Sequence, residues 1–403
     1  DIGIIIEKVD HPTDDNLYRY FLTFTQAWLN ALPASDTEYV INFIANDVNG
    51  HTSKSQLRIA NTEAAIVYED PVEVDMSAMT NDRLAVRSTE ATVSVKILDS
   101  SAEIPTVQYR EKGQSEWQTA TSETRSLTRA GDAIEVKLTG LKPATEYEYC
   151  VVSGDFVSEV YSLTTEGQFV IPNASLEEWS NFAENSKVLI PNANGQRTFW
   201  DSGNHGSATM NVTLTQNSEE IVGSGQYSAR LRSQFVGIGI AGKFAAGNLF
   251  AGTYLETQGT DGRLEFGRPY DGSHPKALRL KAHYRPGKVD KKSDYFSEGD
   301  TDIAQIYVAL STAPVEVRTK KSNQKLFSPD DKEILAYGQV TWESDFAPDG
   351  QLAEIEIPLE YFDRAHTNDA TTLIIVCSAS KFGDFFTGGE GSLMYVDDFE
   401  LVY

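Results

Sequence analysis

Thiols, imidazoles and positive charge are all scarce in this chain. Two cysteines, Cys150 and Cys377, stand more than 200 positions apart in strand-like apolar runs, so a disulfide scaffold is excluded and two buried free thiols are expected. Six histidines are scattered singly, and no His-Glu-x-x-His pair occurs. P-loop, EF-hand and Gly-x-Ser-x-Gly patterns are missing as well, so NTPase, metalloprotease and serine hydrolase chemistry lack their local signatures. Against 59 acidic side chains there are 34 Lys and Arg, a formal charge of −25 that repels phosphate backbones and disfavours nucleic acid as a partner. Neutral sugars are not penalised by such a field. No apolar run approaches the ~18 residues of a membrane helix, so no transmembrane segment is expected. The start, Asp1-Ile-Gly, has neither Met nor a signal pattern, and an export signal or lipid anchor is expected upstream.

What is present reads as β structure. Short runs rich in Val, Ile, Thr, Tyr and Phe recur between Gly, Asn, Asp and Pro clusters, and helical periodicity is rare. At roughly 100–200 residues per domain, 403 residues make several modules. In residues 1–69 an alternating run from Tyr39 meets Asn49-Gly50, the strongest short hairpin signal, and a second run follows to Ile59. This predicts a small Ig-like sandwich. Residues 70–167 alternate again at Ala91–Leu98 and Thr106–Arg110. Their Leu141-Lys-Pro-Ala-Thr-Glu-Tyr147 run resembles the late strands of a fibronectin type III domain, which implies that Tyr147 hydrogen-bonds back to nearby backbone. From residue 168 to 403 glycines cluster and strands lengthen. The fold expected is therefore all-β, with two small Ig-like and fibronectin-like sandwiches followed by a large jelly-roll β-sandwich. A short helix is expected at Pro358–Asp363, and a charged, mobile loop at Lys288–Asp300.

In the closing run Leu393-Met-Tyr-Val-Asp-Asp-Phe-Glu-Leu-Val-Tyr403, alternate apolar residues share a face with Asp397. A carboxylate there needs a metal ion, a Lys or Arg, or several backbone N–H groups. Gly237-Ile-Gly-Ile-Ala-Gly242 matches G-x-G-x-x-G, but two more glycines within the next ten residues argue against the helix that a dinucleotide site requires, so it reads as a close-packed or bulged segment.

Phe199-Trp-Asp-Ser-Gly-Asn-His-Gly206 is the best local constellation for a sugar: Trp200 as a stacking platform, with Asp201, Asn204 and His205 as hydroxyl partners. Trp200 is equally readable as an inter-sheet core residue. Tyr270 and Phe385, in the loops Tyr270-Asp-Gly and Phe382-Gly-Asp-Phe-Phe386, supply further aromatics. His205 and His274 are either solvated or in reach of a ligand. Hydrolysis would need two carboxylates in one cleft, and among Asp201, Glu265 and Asp384 spacing selects no pair.

Asn173-Ala-Ser-Leu-Glu-Glu-Trp179, Ser224–Ser233, Ala277–Arg285, the Ser378–Ser392 loop and Tyr395–Leu401 together resemble the putative carbohydrate metabolism domain of surface lipoproteins from Gram-negative gut anaerobes. That resemblance covers roughly residues 168–403. It implies non-catalytic glycan binding at the cell surface or outer membrane, in support of polysaccharide utilisation, with a glycoside hydrolase or lyase as the first alternative and a structural adhesin contacting other surface proteins as the second. In the wider family of carbohydrate-binding sandwiches a structural Ca²⁺ joins the first and last strands. The matching positions here are Glu177 or Glu178 and Asp397 or Asp398, and no organic cofactor is implied.

Overall fold

Residues 4–11, 14–24, 39–46 and 52–59 are described as backbone strands in a computed structural model, and residues 70–99, 102–121, 131–237, 242–347 and 350–403 with their side chains. The chain divides into two compact units, Asp1–Asp70 and Pro71–Tyr403. In the first, Ile4–His11 pairs antiparallel with Asp14–Phe24, and Tyr39–Asn46 pairs with Thr52–Ile59. The Asn49-Gly50 turn expected between the latter two lies outside the described residues.

In the second unit, alternation in the sequence becomes alternation in burial: Ile134, Val136 and Leu138 are buried along Ala133–Thr139 while their neighbours are exposed. This strand joins Glu90–Ile97 and Val72–Val74 in one sheet, and Thr106–Glu111 with Glu146–Ser153 centres the other. Between them lies a core of Val93, Val95, Val107, Tyr149 and their neighbours. The Lys142 N–H donates to the Tyr147 hydroxyl at 2.9 Å, the corner bond expected of that tyrosine.

The large domain is a double-sheet sandwich. A nine-stranded sheet runs Val315–Arg318, Asp261–Phe266, Asn248–Gln258, Thr372–Ser378, Ala304–Ser311, Ile334–Trp342, Glu360–Tyr361, with Trp200–Asp201 and Arg268–Pro269 as side pairings. The facing five-stranded sheet runs Thr215–Ser218, Ser228–Arg232, Leu393–Val402, Ala277–Arg285, Ala353–Pro358. The C-terminal strand is thus the middle of its sheet. Leu249, Ile306, Val308 and Ile375 meet Leu231, Leu280, Val396 and Leu401 between the layers. The alternate residues of the nine-stranded sheet, including Phe250, Tyr254, Tyr307 and Ile374, form a second core on its outer side, where Phe327 closes over them. Apolar on both faces, that sheet curls into a half-barrel.

One local expectation changes. The 358–363 segment holds the short strand Glu360–Tyr361, and the helical turn starts only at Asp363. The 288–300 loop is built around its own hydrogen bonds: the Ser293 hydroxyl accepts from the N–H of Tyr295 and Phe296, and Asp300 accepts from Ser297 N–H. Gly237–Gly242 joins two paired strands, Gln234–Val236 and Lys243–Ala245, so no helix follows the glycines and a dinucleotide site is ruled out. Both thiols are free and buried. Among the described residues no helix is long and apolar enough to cross a membrane.

Candidate functional site

The terminal strand turns over at a bulge. Asp398 has φ +52°, and the pairing with Ala277–Arg285 shifts register between Arg279 and Lys281. Met394 and Val396 face the inter-sheet core before the bulge, Phe399 and Leu401 after it. Asp397 therefore points away from that core, contrary to the parity of the sequence, yet it is buried because the Glu219–Tyr227 loop covers it. Its carboxylate accepts from the N–H groups of Gly223 (2.8 Å), Ser224 (3.3 Å) and Asp398 (2.8 Å). Burial raises it to about 6. Glu177 accepts from Gln226 N–H and Tyr227 N–H on the same loop, Asp398 pairs with the Lys281 ammonium at 2.9 Å, and Glu178 is exposed. Calcium prefers six to eight oxygen ligands. These carboxylates are surrounded by N–H donors and an ammonium, so the donor set does not fit a calcium ion at Glu177, Asp397 and Asp398. Among the described residues no group of three His, Cys, Asp or Glu is arranged to hold a metal.

Nor does the Phe199–Gly206 constellation face a ligand. Trp200 is fully buried, its indole N–H donating to Pro172 O at 3.0 Å and its ring packed on Phe199 and Phe399 at 5.0 and 4.9 Å. No face of it is open to a sugar; it is the inter-sheet residue of the alternative reading. Asn204 spends its amide on Leu189 O and Thr215 O, and its carbonyl accepts from Leu214 and Thr215 N–H. Asp201 is buried against His205 Nε2 (2.9 Å) and Tyr254 N–H (2.8 Å), with Arg197 at 3.6 Å. His205 stacks on Tyr254, centroids 5.3 Å apart. Tyr270 packs on Phe169 at 5.0 Å, and its hydroxyl bonds Ser273. His274 is buried with Nδ1 2.5 Å from Glu166, neither solvated nor in reach of a ligand.

These residues do build a wall. Tyr254, held from behind by Asp201 and His205, lines a cavity of about 230 Å³ between the Gly203–Met210 loop, the Lys243–Ala245 strand, the turn at Thr257–Gly262 and the Phe382–Phe386 loop. Asn248, Thr257 and Thr319 add amide and hydroxyl groups, and Phe244, Met210 and Phe386 add apolar surface. The Lys243 ammonium sits 3.9 Å from the Phe386 ring centroid and 3.1 Å from Asp261, so its charge is met on both sides. Asp384 also lines the cavity, and burial raises its carboxyl to about 6. A neighbouring cavity of about 540 Å³ shares Lys243, Phe244 and Phe386 and adds Phe235 and Thr387.

The cavity loop is held from beneath by Asp302, which the sequence did not mark. Buried at 0 % exposure, Asp302 accepts from Ser380 Oγ (2.5 Å), Ser392 Oγ (2.7 Å) and Gly389 N–H (2.8 Å). At Gly388 a Cβ would lie 2.5 Å from the Phe244 ring, so only glycine lets that ring reach the cavity. Lys243, Phe244 and Tyr254 were likewise missed. The available signal was the pair of runs flanking the glycines at 237–242, which read as a hairpin would have placed Lys243 and Phe244 beside an opening.

The putative carbohydrate metabolism domain model matches residues 171–402. The chain belongs to that family. Its role is therefore associated with carbohydrate. Residues 79–165 match the model for the N-terminal domain of purple acid phosphatase, over the module that the sequence likened to fibronectin type III. No curated protein matches the chain. A solved structure from Bacteroides vulgatus, titled a putative glycoside hydrolase, is 24 % identical, covers 53 % of this chain and 90 % of its own, and has a TM-score of 0.38. Another of the same title, from Bacteroides thetaiotaomicron, is 18 % identical, covers 77 % and 86 %, and has a TM-score of 0.41. Neither likeness bears on activity.

Proposed function

We propose that this protein binds a neutral glycan in the cavity lined by Tyr254, Phe244, Phe386, Asn248, Thr257 and Asp384. The observation that carries this reading is the mixed lining of one opening: aromatic and thioether surface for the C–H face of a sugar, beside the Asn248 amide nitrogen and the Asp384 carboxyl for its hydroxyls. Among the described residues the one cation there, Lys243, is neutralised by Asp261, which suits an uncharged ligand. An exported, lipid-anchored protein at the cell surface, capturing polysaccharide, is the setting that fits this role.

Screening wild type, Phe386→Ala and Asp384→Asn against an array of neutral oligosaccharides tests it. Each variant should weaken the wild-type signal about tenfold, the loss of one stacking or charge-assisted contact, with the circular dichroism spectrum unchanged. Wild-type signal retained by both variants rules the cavity out as the site.

Glycoside hydrolysis is the second reading, and one observation favours it: a carboxyl at about 6 inside a cavity is suited to donate a proton near neutral pH. In that case wild type releases reducing ends from the glycan it binds, while Asp384→Asn binds it and releases none.

A further inference from the structure

The Phe382–Phe386 loop presents its residues to two places. Asp384 and Phe386 line the cavity, whereas Phe382 and Phe385 stack against Tyr295 of the neighbouring loop. The Tyr295 ring lies 4.4 Å from Phe382 at 18° and 4.5 Å from Phe385 at 39°, with Phe296 edge-on beneath Phe382 at 5.4 Å. Tyr295 and Phe385 remain 41 % and 37 % exposed. Tyr295, Phe382 and Phe385 lie outside the buried cores found among the described residues, and Phe296 is buried beneath them. They are nonetheless held in place, because Ser293 ties the N–H groups of both Tyr295 and Phe296.

From this arrangement we infer that the ligand is an extended chain of neutral sugar units, seated in the cavity at one point and stacked on Tyr295 and Phe385 at the next. The inference rests on the carbohydrate reading of the cavity and adds to it a second contact further along the same sugar chain. Phe385 is bonded to both cavity residues, and consecutive Cα atoms are only about 3.8 Å apart, so the platform begins one residue from the cavity wall. The size of the patch argues for sugar over protein: an aromatic side chain buries about 150–250 Å² in full, and Tyr295 and Phe385 expose only 41 % and 37 % of theirs, well short of the roughly 500 Å² that each partner brings to a specific protein interface. A formal charge of −25 disfavours an anionic chain.

The test is titration calorimetry with a soluble series, from monosaccharide to hexasaccharide, of the oligosaccharide best bound on the array, using wild type, Tyr295→Ala, Phe385→Ala and Phe386→Ala. Wild-type affinity should climb with length by about tenfold or more, the value of one added aromatic contact. Tyr295→Ala and Phe385→Ala should remove the climb and leave the shortest binding oligomer unchanged, while Phe386→Ala weakens every length. Affinity independent of length, or a climb that survives both platform variants, overturns the inference and leaves the cavity reading standing if Phe386→Ala still acts. Wild type that binds no member of the series overturns both. Light scattering is run in parallel: a wild-type dimer that Tyr295→Ala splits would make the platform a protein contact and overturn the inference.

Discussion

Burial raises two carboxyls, Asp384 and Asp397, to about 6, but their surroundings differ. Asp384 opens to a cavity and can change protonation with a ligand beside it; Asp397 is sealed under a loop and can only change the stability of the fold. Because the folded value of Asp397 lies above the ordinary range, its contribution is most favourable below about pH 4 and is lost as pH rises through about 6, a change on the order of 2 to 3 kcal/mol. Urea unfolding measured from pH 4 to 7 should show that decline flattened in Asp397→Asn, and equal slopes in the two proteins would refute it. Trp200 illustrates a side chain whose chemistry the sequence allowed in two ways and whose place only packing decides. Trp200→Ala should destabilise the protein by about 3 to 5 kcal/mol through the cavity it leaves. Denaturation reads this, and a variant as stable as wild type would show that the indole is not core.

The strands were legible wherever alternation persisted: Ala91–Leu98, Ala277–Arg285 and the closing run all appear where apolar residues recur at every second position. The bulge at Asp398 was not legible, since one residue in the left-handed region reverses every later side chain and Asp tolerates that conformation without a glycine to announce it. The site was harder still. Its Phe382–Phe386 loop stood out by composition, but the Lys243 strand meets it only through side-chain contact across a long sequence separation, Lys243 over the Phe386 ring. The covering loop at 219–227 gives Asp397 two backbone N–H donors. A chelator should leave the melting temperature unchanged, and a drop of several degrees would restore a bound cation. In the same loop Gly225 has φ +70° and its Cβ would lie 2.4 Å from Glu177, so Gly225→Ala should destabilise by about 1 to 3 kcal/mol in the same melts.

At the scale of the molecule, the module at 70–167 and the sandwich that follows form one compact unit. The Arg87 guanidinium donates to His274 O at 2.7 Å and Pro275 O at 3.2 Å and lies 5.0 Å from the Tyr361 ring centroid, while Lys276 pairs with Glu90 at 3.1 Å. The all-β class of both parts could be read from their residues, but this joint could not, because it depends on which loops meet. Calorimetry of the full chain should show the two parts melting together and Arg87→Ala separating them into two transitions; a single transition in the variant would show that the joint does not couple them.

Asp302 grips Ser380 and Ser392, the two feet of the segment that carries Asp384, Phe385 and Phe386. A ligand arriving there finds its contacts already arranged, and little freedom is left to be surrendered on association. Loosening that grip with Asp302→Ala would remove no contacting side chain, yet it would free the segment that carries them and make capture less favourable in entropy.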